Sequence, residues 1–499
     1  MKLLGAHPRR NLLLLAVGLT VLRLVAGGTI HLTEDEAYYR LWAQHPHLGY
    51  VDHPPMIAWW IWAGSQICGD NALGVRLLPA IATGVATWLI GDLAQRLGAA
   101  PRTAFRAALW YNATLTVCLG GMLATPDTPA SFFWTLTLWS LALFWERGRA
   151  VWWLAAGLSA GLAVLSKYSG LFLAPGVLLW LLLIPGGRAE LRRPGPWEAA
   201  LLAIFVFAVN VVWNSEHHWI TFVKQFGRVQ AHVLTPGHFL ELLVTQFLLL
   251  TPLISFYAVK GVRQSWRERG QPGCVHLMLP VATAAPFAIY LVIHSLHDRV
   301  QGHWPAPLFG AFAICAAVAL DQAPEGRLSR VARWAAPGFG LTLGAIALAL
   351  LASPVTLPGR YDLTAPLRGW PQFASDVERR RAETGAAWVG VQSYGVLAQL
   401  ALADRIAAPV LQVIERDRYD KEPADHPDFS KPGLIVDLSR RMKSDDLLRC
   451  FAKVAPAGPI TRAGGATANE RYVAYLVSGP RRDVWIIGCP AEVSPGVWR

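Results

Sequence analysis

Long apolar runs separated by short polar breaks occupy residues 12–30, 73–95, 103–120, 128–145, 151–165, 169–185, 197–213, 239–259, 275–294, 304–320 and 335–353. Each is close to the length a helix needs to cross about 30 Å of hydrocarbon, so the pattern predicts about eleven transmembrane helices. The two shortest, 151–165 and 169–185, depend on flanking loops to complete the crossing. After about residue 354 the pattern changes: AAWVGVQ, PVLQVI, GLIVDL and RYVAYLVSG read as short buried strands between helical stretches, as in a small α/β domain. The Gly/Pro-rich stretch TLPGRYDLTAPLRGW at 356–370 is the best linker candidate. The chain therefore divides into a membrane domain, 1–353, whose first outer loop covers about 31–72, and a C-terminal domain, 354–499. The first apolar run reads as a retained span rather than a cleaved signal, because no small-residue cleavage site precedes the polar stretch at 31–36 and further spans follow.

Composition agrees with a chain largely immersed in lipid. Of 499 residues, 54% are hydrophobic and 16% charged, against about 25% charged in a soluble domain. Basic residues gather in every second loop: Lys2, Arg9 and Arg10; Arg96, Arg102 and Arg106; Arg147 and Arg149; Arg188, Arg192 and Arg193; Lys260, Arg263, Arg267 and Arg269; Arg327, Arg330 and Arg333. The positive-inside rule makes those loops and the N-terminus cytoplasmic. An odd number of spans then puts the C-terminal domain on the outer side, the periplasm of a Gram-negative cell. The net charge of +12 is thus a topology signal; dispersed over separate loops, it argues against a nucleic-acid partner. The six cysteines include no CxxC pair, which speaks against a metal-thiolate site. Cys450 and Cys489 alone share the outer domain, as a disulfide if that compartment is oxidising, or as separate buried thiols.

The polar residues are one-sided too. Eleven of the 14 histidines fall on or beside outer loops. Imidazole, carboxylate and aromatic groups on one face suit a phosphorylated, sugar-bearing headgroup, although His, Trp and Tyr also favour the interface for its own sake. Asp35 and Glu36, in TEDEAYYRLWAQH, follow a Thr cap in the first turn of a surface helix. There they are either helix-end charges or a general base with its orienting partner. Asp52 and His53 precede Pro54 and Pro55, which stiffen the chain into an elbow facing the acidic pair, or simply into a turn. Asp127 in TPDTP begins a span. Lys167 and Tyr168 lie in the short break SKYSG, where an ammonium seeks an anion such as a lipid phosphate or snorkels to the interface. The segment 213–232 reads as an amphipathic surface helix carrying Glu216, His217, His218, Lys224, Gln225 and Arg228. HDRVQGHWPAP adds Asp298, Arg299, Gln301, His303 and Trp304. Glu216 with His217 and His218, or Asp52 with His53, have the donor types for a divalent cation, though neither HxxxH nor HExxH occurs.

Taken in order, EDEAYYRLW, GYVDHPPMIAWW, TPDTP, SKY and HWPAP resemble the bacterial branch of glycosyltransferase family 39, which includes protein O-mannosyltransferases, lipid A aminoarabinose transferases and rhizobial lipopolysaccharide galacturonosyltransferases. The resemblance covers the membrane part; in the C-terminal domain it rests on GW at 369–370, VGVQSYGVLAQLAL and ERDRYD. It implies the GT-C fold and an inverting transferase of the bacterial inner membrane. Such an enzyme takes a sugar from a polyprenyl (undecaprenyl) phosphate donor on the outer face and places it on a lipid or glycolipid acceptor. By the same resemblance Asp35 is the base candidate, Lys167 is a phosphate neighbour, and Asp52-His53 stands where aminoarabinose transferases have Glu-Lys. His there carries a weaker, pH-dependent charge than Lys.

The chemistry is coherent without the family. Displacing a polyprenyl phosphate at an anomeric carbon needs an oxygen nucleophile, deprotonated if it is a hydroxyl, and cations to stabilise the departing phosphate. Asp35 suits the first task; Lys167, Arg228 or Arg299 suits the second. If the acceptor is itself a phosphate, Asp35 positions rather than deprotonates. Candidate acceptors are lipid A, lipopolysaccharide core, another glycolipid or a protein. A secondary transporter or a lipid-binding scaffold would be the alternatives; transporters, however, keep ionisable groups near the midplane, and here Arg23 is the clearest basic residue inside a predicted span.

Overall fold

The computed structural model describes residues 8–227, 234–269, 271, 276–353, 362, 364–415, 418, 427–442, 444–464, 469–481 and 489. The chain is a largely α-helical polytopic membrane protein with an α/β region at its C-terminal end. It forms two compact units: residues 1–29 with 53–349, and residues 30–52 with 350–499. Most of the first outer loop's N-terminal half, 30–52, thus packs with the C-terminal region, across the sequence division at 353/354.

The first unit is helical. Among the described residues, four helices are long and apolar enough to span a membrane unaided: Arg9–Thr29, Ala72–Arg96, Pro194–Glu216 and Arg327–Ala352, the last ending beyond this unit's boundary. The bent pair Pro236–Leu249 and Pro252–Arg267 makes a fifth if it is one span. Among the described residues that is fewer than the about eleven expected. Several apolar runs are interrupted, giving shorter helices such as Val151–Ser166, Met278–His294 and Phe309–Asp321. The Asp127–Arg147 helix has the length, but its Thr, Ser and Trp residues and charged end dilute its apolar character.

Small residues let these helices approach closely, as expected where lipid provides no hydrophobic drive between them. A side chain at Gly157 would run into the backbone of Ala199, and one at Gly340 into the carbonyl of Ala113. Two buried arginines bond across helices: Arg23 Nη2 donates to Asn112 Oδ1 at 2.5 Å and Arg76 Nη1 to the Gly27 carbonyl at 2.8 Å. Outward faces remain apolar, with Trp197, Leu201, Ile204 and Phe205 exposed on one helix, as a lipid-facing surface requires.

The second unit is built on a five-stranded sheet: β1 (Trp388–Val391), β2 (Val410–Gln412), β3 (Gly433–Leu438), β4 (Phe451–Ala463) and β5 (Asn469–Pro480), in the order β2-β1-β3-β5-β4. β2, β1 and β3 are parallel, with helix Tyr394–Ala403 crossing from β1 to β2; β5 and β4 are antiparallel. Parallel strands are buried on both faces, hence the continuous apolar runs WVGV and GLIVDL. Trp388, Leu411, Ile435, Phe451 and Val477 fill one side of the core, where Cys450 and Cys489 form a disulfide. Helix Glu34–Gln44 belongs to this unit and packs on helix Tyr394–Ala403.

Candidate active site

Helix Glu34–Gln44 begins with a capping box: the Glu36 N–H donates to Thr33 Oγ1 at 3.2 Å, and the Thr33 N–H donates to the Glu36 carboxylate at 3.0 Å. The adjacent acids therefore have different surroundings. Glu36 is fully buried as part of the cap, whereas Asp35 is half-buried and accepts a 2.9 Å hydrogen bond from the Tyr394 hydroxyl. Burial first, and then the Asp35 charge, push the Tyr394 phenol above its ordinary range, so it remains a donor. Tyr394 also packs against Tyr38 with the rings tilted and their centroids 4.8 Å apart, and its ring lies 4.9 Å from the Arg418 guanidinium.

Asp52 closes the same network. Its Oδ2 accepts from the Tyr38 hydroxyl at 2.8 Å and pairs with Arg418, which also pairs with Glu415. Burial disfavours the Arg418 charge, but the Asp52, Tyr38 and Glu415 fields outweigh it and hold the guanidinium firmly protonated. Tyr38, Tyr394 and Arg418 were not singled out in the sequence. Tyr394 and Arg418 lie in VGVQSYGVLAQLAL and ERDRYD, the two C-terminal stretches that carried the resemblance.

The first unit holds a second polar cluster. Asp127 opens its helix, where the positive end favours an anion, and the preceding turn is fixed by Thr128 Oγ1 bonding the Leu123 carbonyl. Lys167 adopts extended geometry between helix Val151–Ser166 and the 3-10 turn Tyr168–Phe172, and its Nζ donates to Asp127 Oδ1 at 2.6 Å. His303 Nε2 lies 3.7 Å from the other carboxylate oxygen, His53 acts on the same group electrostatically, and the Trp304 ring is 6.0 Å from the ammonium. One carboxylate thus meets one ammonium and two imidazoles. With either imidazole protonated the cluster is net positive, as an anion-binding site should be.

Other candidates are placed elsewhere or engaged otherwise. Asp52 belongs to the second unit and His53 to the first. The Tyr168 hydroxyl bonds Asn210 Oδ1 at 2.9 Å, and Arg299 pairs with Glu241. The expected amphipathic helix over 213–232 is instead broken: Pro194–Glu216 ends, His218 and Trp219 take positive φ, and Ile220–Gly227 follows, with Lys224 buried. The turn is stabilised by the Trp219 N–H bonding the Asn214 carbonyl at 2.8 Å. Arg228 lies outside the described residues. Among the described residues no three His, Cys, Asp or Glu groups converge on a metal site, which corrects the candidate set Glu216, His217 and His218. His217 stacks on Trp213 and places its Nδ1 2.7 Å from that residue's carbonyl.

Residues 52–213 match the family model described as dolichyl-phosphate-mannose-protein mannosyltransferase. The chain is 29% identical to the lipid A galacturonosyltransferase RgtD of Rhizobium johnstonii over 62% of this chain and 65% of that protein. It is 28% identical to the undecaprenyl phosphate-alpha-4-amino-4-deoxy-L-arabinose arabinosyl transferase 1 of Pseudomonas fluorescens over 54% of this chain and 52% of that protein. The matched region therefore spans between half and two thirds of these relatives. The fold is that of ArnT from Cupriavidus metallidurans, whose crystal structure bound to undecaprenyl phosphate superposes with a TM-score of 0.62 at 15% identity, covering 92% of this chain and 97% of that one. The archaeal oligosaccharyltransferase AglB from Archaeoglobus fulgidus shares it more distantly, with a TM-score of 0.52 at 13% identity over 80% of this chain and 64% of that one.

Proposed function

We propose that this chain is an inverting GT-C glycosyltransferase of family 39 type, working on the periplasmic face of the bacterial inner membrane. It moves a sugar from undecaprenyl phosphate to an envelope glycolipid such as lipid A or lipopolysaccharide core. The observation that carries this reading is the Asp127–Lys167–His303 cluster, with His53 acting on it, a built anion site in a fold shared along nearly its whole length with an undecaprenyl-phosphate-binding protein. Galacturonosyl and aminoarabinosyl transfer, named for the sequence relatives, are the first donor sugars to test.

In the proposed reaction an acceptor oxygen attacks the anomeric carbon, the bond from that carbon to the phosphate oxygen breaks, and undecaprenyl phosphate leaves with the electron pair. Asp35 takes the proton of an acceptor hydroxyl; for a phosphate acceptor it orients the nucleophile instead. Lys167, with His303 and His53, neutralises the departing phosphate. Asp52 is held by Arg418 and Tyr38 within the C-terminal unit. The N-terminus is cytoplasmic, and the C-terminal unit with Asp35 is periplasmic, in accord with the basic loops.

A protein acceptor is the second reading, favoured by the mannosyltransferase model over 52–213. Mass spectrometry of envelope lipids from a deletion strain separates the two. Loss of one sugar mass from a lipid, restored by the wild-type gene and not by Asp35→Asn, supports the glycolipid; unchanged lipids with a glycoprotein losing sugar support the alternative.

A further inference from the structure

In sheets with parallel strands, ligand crevices form beyond the carboxyl ends of the strands, where successive connections leave in opposite directions. In the second unit this point is β1: its connection runs one way to β2, and β3 is its neighbour on the other side. The turn Gln392–Ser393 follows β1 and Ser439–Arg441 follows β3. Asp437, buried at the end of β3, pins the first turn by accepting the Gln392 N–H at 2.8 Å, and Arg441 Nη1 bonds Ser393 Oγ at 3.3 Å across the gap.

That crevice is filled by a piece of this chain. Glu34, the first residue of helix Glu34–Gln44, packs so tightly on Gly395 that a Cβ there would collide with its carboxylate, and the fields of Arg462 and, more weakly, Arg441 reach it. The next residue is Asp35, held by Tyr394. One helical turn and a half further along the Tyr394 helix, Gln399 fastens the approach to the acidic helix, donating to the Leu32 carbonyl at 2.9 Å and meeting the His31 ring at 2.8 Å.

We propose that the C-terminal unit uses its ligand crevice to seat the helix bearing Asp35, and that Tyr394 is a positioning residue for transfer, aiming the Asp35 carboxylate and keeping it anionic. The inference rests on the glycosyltransferase reading. A phenol donating to a carboxylate stabilises the charged form, so removing it favours protonation.

The test compares wild type, Tyr394→Phe and a protein carrying 3-fluorotyrosine at 394, each reconstituted in vesicles with an undecaprenyl-phosphate sugar donor and lipid A. Phe keeps the ring against Tyr38 and Arg418. Tyr394→Phe is expected to lower kcat about tenfold, to leave the donor KM within about twofold, and to move the acid limb of the pH–rate profile to higher pH. The more acidic 3-fluorophenol moves that limb the other way, which keeps the test open if Tyr394→Phe fails to fold. A wild type without transfer sinks the glycosyltransferase reading and this inference with it. Active wild type with unmoved acid limbs in both variants, whether or not kcat falls, overturns the positioning role alone.

Discussion

Lys167 and Asp127 make a nearly buried ion pair, and removing one partner strands the other's charge. Lys167→Gln is expected to raise the donor KM about tenfold or more and to destabilise the protein. Adding Asp127→Asn should restore stability without restoring donor affinity, which thermal unfolding and donor titration can distinguish. Tyr472 supplies a pH prediction: burial, working against the opposing field of Arg462, raises its phenol above the unfolded value of 10.0. A raised pKa contributes stability that is intact below the unfolded value and is lost as pH climbs toward the folded one. The melting temperature should therefore fall above about pH 10, and less steeply in Tyr472→Phe. At this scale the sequence was informative where local rules operate. Asp127 and Lys167 stand out because charges interrupt apolar runs, whereas Tyr394 and Arg418 meet Asp35 and Asp52 across 359 and 366 residues, a distance no periodicity spans.

Among the elements, helix Glu34–Gln44 depends most visibly on local sequence. Thr33→Ala removes half of its capping box and should cost about 1 kcal/mol, read as a lower melting temperature together with slower transfer, because the same turn carries Asp35. The disulfide closes a 39-residue separation, so Cys450→Ser is expected to cost the C-terminal unit about 4 kcal/mol on loop-closure entropy, measurable by denaturant titration with and without reductant. Four of the five strands were legible as apolar runs. β4 was not: it is a partly exposed edge strand broken by Pro456 and Pro459, and it lacks the buried-strand pattern. The expected helix over 213–232 fails for a similar local reason, a positive-φ turn at His218 and Trp219 that residue types do not announce.

At the scale of the molecule, apolar patterning identified a polytopic protein and its α/β end but overcounted the long spans, because a broken or bent apolar run looks continuous in sequence. It also gave the first outer loop wholly to the membrane domain, although Ile30–Asp52 groups with the C-terminal unit. This grouping makes the C-terminal unit part of the proposed chemistry, since it is the unit that holds Asp35. The central claim is most directly tested by single-turnover transfer in vesicles, with undecaprenyl-phosphate-linked galacturonic acid or aminoarabinose as donor, lipid A as acceptor, and wild type beside Asp35→Asn. The account predicts that wild type adds one sugar to lipid A with inverted anomeric configuration, and that Asp35→Asn binds donor normally but transfers at least about 100-fold more slowly. Transfer at the wild-type rate by Asp35→Asn, or retention of configuration, would contradict it.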